Sequence, residues 1–374
     1  MNLELNEEQA LLRDSVARFV GEHYSLEQRR SIVRSERGHS AEHWQMMAEL
    51  GWLAVPFAER DGGMGGSAID TMVMMEQFGK GLVLEPFFTS IVLGGAALRH
   101  GASDNIKQRL LSGVIDGTRQ LAFAHAERSA RFDLQHVATR ACPDGAGFVL
   151  HGLKSFVLNL EAADTIVVSA RTGGAITDRD GITLFLLERD CPGVSIQSYP
   201  TVDGGRAGDL SLHGVHLARS SVLGEVDAGC GIVNAVASEA MLALAAEAVG
   251  AMQVLYQDTV QYTQQRIQFG HPLANFQVLQ HRMVDMFTEY ELARSLLYRA
   301  TLESAQSLPS AQRSIHALKY LVGRAGMFVA ESAVQLHGGM GMTEELRVGH
   351  YLKRMLVIDL LFGNAEHHLQ KFSE

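Results

Sequence analysis

Apolar side chains recur at helical spacing from the start of the chain. Leu12, Val16, Phe19 and Val20 share one face, and Asn6 followed three residues on by Gln9 has the form of an N-terminal capping box. The helical pattern is expected to continue to about residue 118, interrupted by the short apolar stretch GWLAVPF and the glycine cluster Gly62, Gly63, Met64, Gly65, Gly66. That cluster lacks the Lys-Ser/Thr of a phosphate loop, and GGxGG is not GxGxxG, so it reads as a tight turn between helices. From about 119 to 228 the period falls to two. FVLHGLKSFVL, TIVVSAR, GITLFLL and LSLHGVHL are β-branched runs divided by Asp144-Gly145, Gly173-Gly174, Asp180-Gly181 and Gly204-Gly205. No helical segment separates them, which predicts an antiparallel sheet or barrel and excludes a doubly wound parallel sheet. After Asp227-Ala228-Gly229 the helical period returns in Ala/Leu/Met-rich stretches over 230–265, 276–305, 309–337 and 344–372, the pattern of a four-helix bundle. The expected fold is α+β: an N-terminal helical domain over 1–118, a middle antiparallel β domain over 119–228 and a C-terminal helical bundle over 229–374.

Composition narrows the function classes. At 374 residues and 47% hydrophobic, the chain has ample material for a packed core, which excludes a disordered or fibrous protein. The 42 acidic residues against 32 basic ones give a net charge of −10 without any long Lys/Arg block, which speaks against a nucleic-acid or anionic-membrane surface. Cys142, Cys191 and Cys230 form no CxxC pair, so neither a disulfide framework nor a zinc knuckle is expected and a reducing cytoplasm fits best. The start MNLELNEEQALLRD is acidic where a signal peptide needs a basic segment, and no uncharged apolar run reaches about 18 residues, so no membrane span is expected.

Two segments carry candidate chemistry. Arg266-Ile267-Gln268-Phe269-Gly270, followed by Pro272 and Phe276-Gln277, can be a plain helix end with a basic residue on the negative dipole, Gly270 at C′ and a proline beyond. It can equally be a guanidinium fork with glutamines nearby, able to hold a diphosphate and the polar edge of a nucleotide. Gln335-Leu336-His337-Gly338-Gly339-Met340-Gly341 offers consecutive glycines after a helix, where backbone N–H groups can approach a ligand, although a helix-to-helix turn needs glycines too. His367-His368 and the other histidines fall into no metal pattern such as HExxH, Met46-Met47 and Met74-Met75 read as core filler, and no GxSxG precedes a helix.

Together, Tyr262, Arg266-x-Gln268-Phe269-Gly270, Phe276-Gln277, Asp285-Met286 and Gln335-Leu336-His337-Gly338-Gly339-x-Gly341 closely resemble the acyl-CoA dehydrogenase family. The likeness extends to LNEEQALLRDSVARF, ELGWLAVPFAERDGGMGG and the Gly152-x-Lys154 turn, so it covers nearly the whole chain. It implies FAD-dependent α,β-dehydrogenation of an acyl-CoA thioester, in which a carboxylate removes the α-proton while a β-hydride passes to the flavin. By residue-for-residue transfer it implies FAD contacts by Arg266, Gln268, Phe269, Gln277, Gln335, Gly338 and Gly339 across a dimer interface.

The departures from the family pattern are as informative. Where the resemblance expects Y-E-G-T, with Glu as the base, this chain has Phe362, Gly363, Asn364 and Ala365, so the usual catalytic position is Gly363. An alternative family position, directly before an Arg on the helix preceding Arg266, falls on Ala240-Met241, with Glu239 one residue away. T-E-P-x-A-G-S-D becomes Ala126-Glu127-Arg128-Ser129-Ala130-Arg131-Phe132-Asp133, and W-I-T-N becomes Phe156-Val157-Leu158-Asn159. GLVLEPFF, AEAVGAM and HYLKRMLVIDLLFGNAEHHL resemble the small subunits of heteromeric pimeloyl-CoA-type dehydrogenases, relatives of pairs that act on steroid CoA esters. The resemblance therefore implies a non-catalytic partner in an α2β2 assembly whose base sits on a homologous subunit. A self-sufficient homo-oligomer using Glu239 or Glu366 is the second reading, with Glu366 also explicable as a first-turn acid behind an Asn364 N-cap. A structural or regulatory module without chemistry is the third.

Overall fold

A computed structural model of the chain describes residues 5–374; Met1–Glu4, the first part of the acidic start, lie outside the described residues. In chain order the first elements are α1 (Glu7–His23), α2 (Leu26–Arg34), α3 (Ala41–Glu49), α4 (Ala68–Gly81), a π-helical segment Phe87–Gly94, α5 (Gly95–Gly101) and α6 (Asp104–Ile115). The strands follow: β1 (Leu121–Ala124), β2 (Arg140–Asp144), β3 (Gly147–Leu158), β4 (Thr165–Arg171), β5 (Ile182–Glu188), β6 (Val194–Pro200), β7 (Arg206–Ala218) and β8 (Val222–Leu223). The rest comprises α7 (Gly229–Gln265), the short pair β9 (Ile267–Gln268) and β10 (His271–Pro272), α8 (Gln277–Ala305), α9 (Ala311–His337), α10 (Val348–Leu360) and α11 (Ala365–Ser373). By contact density the chain divides into one unit of Met1–Ile32, Ser67–Val83 and Met241–Glu374 and another of Val33–Gly66 and Leu84–Ala240.

Local signals act as the sequence anticipates. At the start of α1, Gln9 N–H donates to Asn6 Oδ1 at 2.8 Å and Asn6 N–H to Gln9 Oε1 at 3.2 Å, closing the capping box. The glycine cluster after α3 folds back on its own chain: the N–H groups of Gly63, Met64, Gly65 and Gly66 donate to the carbonyls of Ala58, Ala54, Phe57 and Val55. With these donors spent, and a Cβ on Gly63 or Gly66 set to overlap main-chain oxygens, the segment is a packed turn and cannot cradle a phosphate.

The sheet-containing unit buries an apolar cluster around Phe148, Leu150, Ile166, Val168, Phe185, Leu187, Leu210 and Leu212. Its strands run in the order β6-β7-β3-β2-β4-β5-β8 and most neighbours are antiparallel. Two pairings are parallel, β1 with β4 and β2 with β4 at Arg140↔Arg171, so the sheet is mixed. The β2–β3 hairpin lies between β1 and β4 in the chain and serves as the crossover that a helix would otherwise supply.

In the helical unit, α4 and α7 meet through a reciprocal glycine contact. A Cβ on Gly79 would overlap the carbonyl oxygen of Glu247, and a Cβ on Gly250 would overlap that of Glu76. The final helical stretch read over 344–372 is two helices, parted at Leu361–Asn364 where Phe362 (φ 59°) and Gly363 (φ 113°) leave helical geometry. Helix α7 is long and apolar enough to cross a bilayer by length and composition, with 72% of its apolar window buried inside the protein. Such burial is what a core helix requires.

The glycine contact sets a stability expectation. Gly79→Ala or Gly250→Ala presses a methyl group onto main chain that has no rotamer to yield, so each should cost about 3 kcal/mol or more, read as a lowered urea midpoint. Gly231→Ala, where nothing lies within 4 Å of the added carbon, is the control that should cost little.

Candidate functional site

Helix α7 stops at Gln265, and Arg266 opens a small projecting hairpin in which His271 pairs with Gln268 and Leu273 N–H donates to the Arg266 carbonyl at 2.8 Å. Phe269 (φ 53°) and Gly270 (φ 80°) are the two left-handed residues of its turn. Gly270 is therefore a hairpin residue, which corrects the plain reading of it as a helix C′ cap. The Phe269 side chain is 89% exposed and meets the Phe276 ring edge-on, with centroids 6.3 Å apart. Gln277 begins α8, and Gln268, Gln277 and Arg266 are all exposed. The Arg266 guanidinium makes no ion pair with any described residue.

The second segment ends α9. His337 is buried, its Nδ1–H donating to the Ala333 carbonyl at 2.8 Å, and burial lowers its pKa from the ordinary value. Gln335 is exposed, Gly338 takes φ 62°, and nothing lies within 4 Å of a Cβ built on Gly338 or Gly339. Tyr262, one turn ahead of Arg266, joins the two segments. Its ring stacks on His337 with centroids 4.2 Å apart and planes at 25°, and its hydroxyl donates to the His337 carbonyl at 3.4 Å. One end of the helical unit thus presents an unneutralised guanidinium, carboxamides and open glycine backbone. This donor set fits the diphosphate and adenine end of FAD.

The position of the usual base is built around glycine. A Cβ on Gly363 would lie 2.6 Å from His367 Cδ2 and 2.7 Å from His368 Nε2, and φ 113° is itself strained for any other residue. The Gly363 carbonyl accepts from Lys319 Nζ at 2.9 Å, and the same ammonium caps α10 through the carbonyls of Ile358 (2.8 Å) and Asp359 (2.9 Å). Lys319 is fully buried, and burial pushes its pKa down to about 8.

A proton-ordered chain braces the same loop. His368 Nε2 lies 3.0 Å from the Phe362 carbonyl, which can only accept, so Nε2 carries the hydrogen and neutral His368 accepts at Nδ1. His316 Nδ1, 2.9 Å away, must then donate, leaving its Nε2 to accept from Gln312 Nε2 at 3.2 Å. Burial, then the charge of Lys319, brings the His368 pKa down to about 3.

Neither glutamate considered as a displaced base stands idle. Glu239 is ion-paired to Arg99 and hydrogen-bonded to His100 Nε2 at 2.6 Å. Burial alone would raise its pKa, but these partners bring it below the ordinary value. Glu366 is exposed in the first turn of α11, behind an Asn364 side chain that accepts from His367 N–H at 3.1 Å. In the sheet, Glu127 is committed to Lys154 at 2.7 Å and to the N–H groups of Ala138 and Thr139 at 2.8 and 3.0 Å. Arg128 and Arg131 beside it are exposed, Phe156 (φ 55°) is 40% exposed, and Asn159 turns inward to donate to Gln120 at 3.2 Å. The sequence reading missed the roles of Arg99, His100, Lys319 and His316, because nothing local marks them as partners.

In chain order the protein runs from helices through a mainly antiparallel sheet to helices again, and an anion-ready loop end closes the helical unit, a combination suited to a flavin-dependent dehydrogenase. The chain belongs to the acyl-CoA dehydrogenase family: the family's N-terminal domain matches residues 6–118, its middle domain 122–215 and its C-terminal domain 227–374. A probable acyl-CoA dehydrogenase, YngJ, of Bacillus subtilis is 27% identical over 98% of this chain and 97% of its own. Among solved structures, PigA with FAD and proline superposes with TM-score 0.93 at 25% identity over 100% of this chain and 98% of the other. A variant of the Tcur3481-Tcur3483 steroid ACAD superposes with TM-score 0.88 at 28% identity, covering 98% and 97%. The family uses FAD.

The histidine chain predicts acid sensitivity. The folded pKa of His368, about 3, lies below its unfolded value of about 6.5, so its contribution to stability is complete above that value and is lost as pH falls toward 3. The urea midpoint should fall between pH 7 and pH 4, with His368 accounting for on the order of 2 kcal/mol, and His368→Gln should flatten that slope.

Proposed function

We propose that this chain is the base-lacking subunit of a heteromeric, α2β2 acyl-CoA dehydrogenase, working in the cytoplasm beside a homologous subunit that carries the catalytic Glu. The observation that carries this reading is Gly363. Glycine geometry, the Lys319 ammonium on its carbonyl and two imidazoles where a Cβ would begin leave no room for the carboxylate that the reaction requires. The likeness to the Tcur3481-Tcur3483 steroid ACAD adds support.

In this reading the chain divides at about residues 118 and 228, a division that the matched regions 6–118, 122–215 and 227–374 support. Arg266 and the open backbone of Gly338 and Gly339 hold the FAD diphosphate, while Gln268, Gln277 and Gln335 meet polar edges of the nucleotide and Phe269 contacts the FAD across the dimer interface. FAD, when bound, supplies the acceptor for the β-hydride of the acyl-CoA. The residues of this chain bind and orient, and the α-proton leaves to the partner's carboxylate. Glu239 and Glu366 take no part.

Purified alone, the chain should be colourless and inactive toward acyl-CoA, whereas co-expression with a Glu-bearing homologue should yield a yellow complex that desaturates its substrate. A yellow, active preparation of this chain by itself overturns the reading. In the mixed complex, Arg266→Ala should weaken FAD retention about tenfold or more, the worth of a hydrogen bond to a charged group. Glu366→Gln should leave turnover unchanged, and Gly363→Glu should lower the unfolding midpoint without creating activity in the isolated chain.

A further inference from the structure

A cleft of about 520 Å³ lies wholly within the sheet-containing unit and shares no residue with the Arg266, Gly338 or Gly363 segments. Its floor includes the carboxamides of Gln120 and Asn159, which are only 9% and 8% exposed. Their polarity is fixed by a chain of hydrogen bonds. Asn159 Nδ2 donates to Gln120 Oε1 at 3.2 Å, and Gln120 Nε2 donates to the buried ring of His39, whose Nε2 accepts at 3.3 Å. This arrangement leaves Asn159 Oδ1, which takes no hydrogen bond from any described residue, as an acceptor beside a spare N–H of the same amide. Lining the cleft, that oxygen is open to a donor entering from outside the chain.

The walls supply a different chemistry. Arg37 and Arg189 line the cleft without an acidic partner among the described residues, and Arg206 uses one N–H on the Ser35 carbonyl at 3.0 Å, leaving the rest of its fork uncommitted. Three carboxylates also line it. Asp164 is committed to the Gln120 N–H at 2.7 Å, while Glu36 and Glu161 remain to accept from hydroxyl groups. A carboxamide with its acceptor and donor side by side matches the N6/N7 edge of adenine, and guanidinium forks match a phosphate. Three arginines and three carboxylates leave the lining without net positive charge, so directed guanidinium hydrogen bonds to one phosphate, rather than bulk charge, must hold the anion, and a polyphosphate has nothing to meet its further charge.

We propose that this cleft binds a nucleoside monophosphate of the adenine class, with the base on Asn159 and the phosphate on Arg37, Arg189 and Arg206. The site is separate from the one assigned to FAD, and its test does not depend on that assignment.

Isothermal titration of the full chain with AMP, adenosine and inorganic phosphate examines it. AMP should bind, with adenosine and phosphate each at least about tenfold weaker, since each satisfies one half of the cleft. Arg189→Ala should weaken AMP about tenfold or more while leaving the unfolding midpoint within error; Asn159→Asp, whose backbone tolerates φ 58° but which loses the donor to Gln120, should weaken AMP as much and also lower the midpoint. Arg266→Ala should leave AMP binding unchanged. Undetectable AMP binding, phosphate binding as tightly as AMP, unaltered affinity in both cleft variants, or loss of AMP binding in Arg266→Ala would each overturn the proposal.

Discussion

Two peptide carbonyls govern how the helical unit is assembled. Glu76 O on α4 and Glu247 O on α7 each occupy the place where the opposing helix would carry a Cβ, so the two axes can approach this closely only because Gly79 and Gly250 carry none. The same turn of α7 then extends its reach through a side chain: the Glu247 carboxylate grips Arg354 of α10 with two bonds of 2.6 and 2.7 Å. About three turns further along, Asp258 takes Arg347 at the start of α10 in a second two-bond grip. Helix α10 is thereby fixed at both ends of about its first two turns, and its far end is capped by Lys319. Residues at the end of α7 and in the loop after α10 are aimed by this one close approach, although neither touches it.

The loop after α10 shows how thoroughly a chemical position can be converted to a structural one. A catalytic carboxylate needs a free approach to its substrate and a pKa that can rise and fall. Here the main chain is held by a buried ammonium, and His368, one of the two imidazoles that crowd the position, is neutral and committed to the Phe362 carbonyl and to His316. Burying an amine is costly, and three carbonyl acceptors and the nearby Asp359 charge offset only part of that cost, which is why the Lys319 proton is held less firmly than usual.

Much of this was legible in the sequence, and the limits have physical causes. The capping box at Asn6, the N-cap at Asn364, the period-two runs of β3, β4, β5 and β7 and the four long helices depend on neighbours in the chain, and local chemistry announces them. The parallel pairing of β1 with β4 does not, because its partners are some forty residues apart and the connection is a hairpin rather than a helix. The ion pair that occupies Glu239 joins positions 140 residues apart, so a carboxylate that looked available is spent on an arginine no spacing rule could have named. Gly270 was misassigned for a different reason. A glycine shortly after a long helix satisfies the pattern of a C′ cap, and only the left-handed Phe269 beside it distinguishes a hairpin from that cap. His337 is hydrogen-bonded core, and by being so it ties one loop to the other.

Phe269 deserves a last thought as a surface rather than as a contact. A benzene ring almost wholly in water, at the tip of a rigid two-residue turn, gains by finding any greasy neighbour, and its own fold offers it the edge of Phe276. A cell that makes more of this polypeptide than of whatever covers that ring would accumulate molecules inclined to cling to one another. Matched synthesis, and the clearance of any surplus, is thus a demand that one aromatic side chain places on the organism.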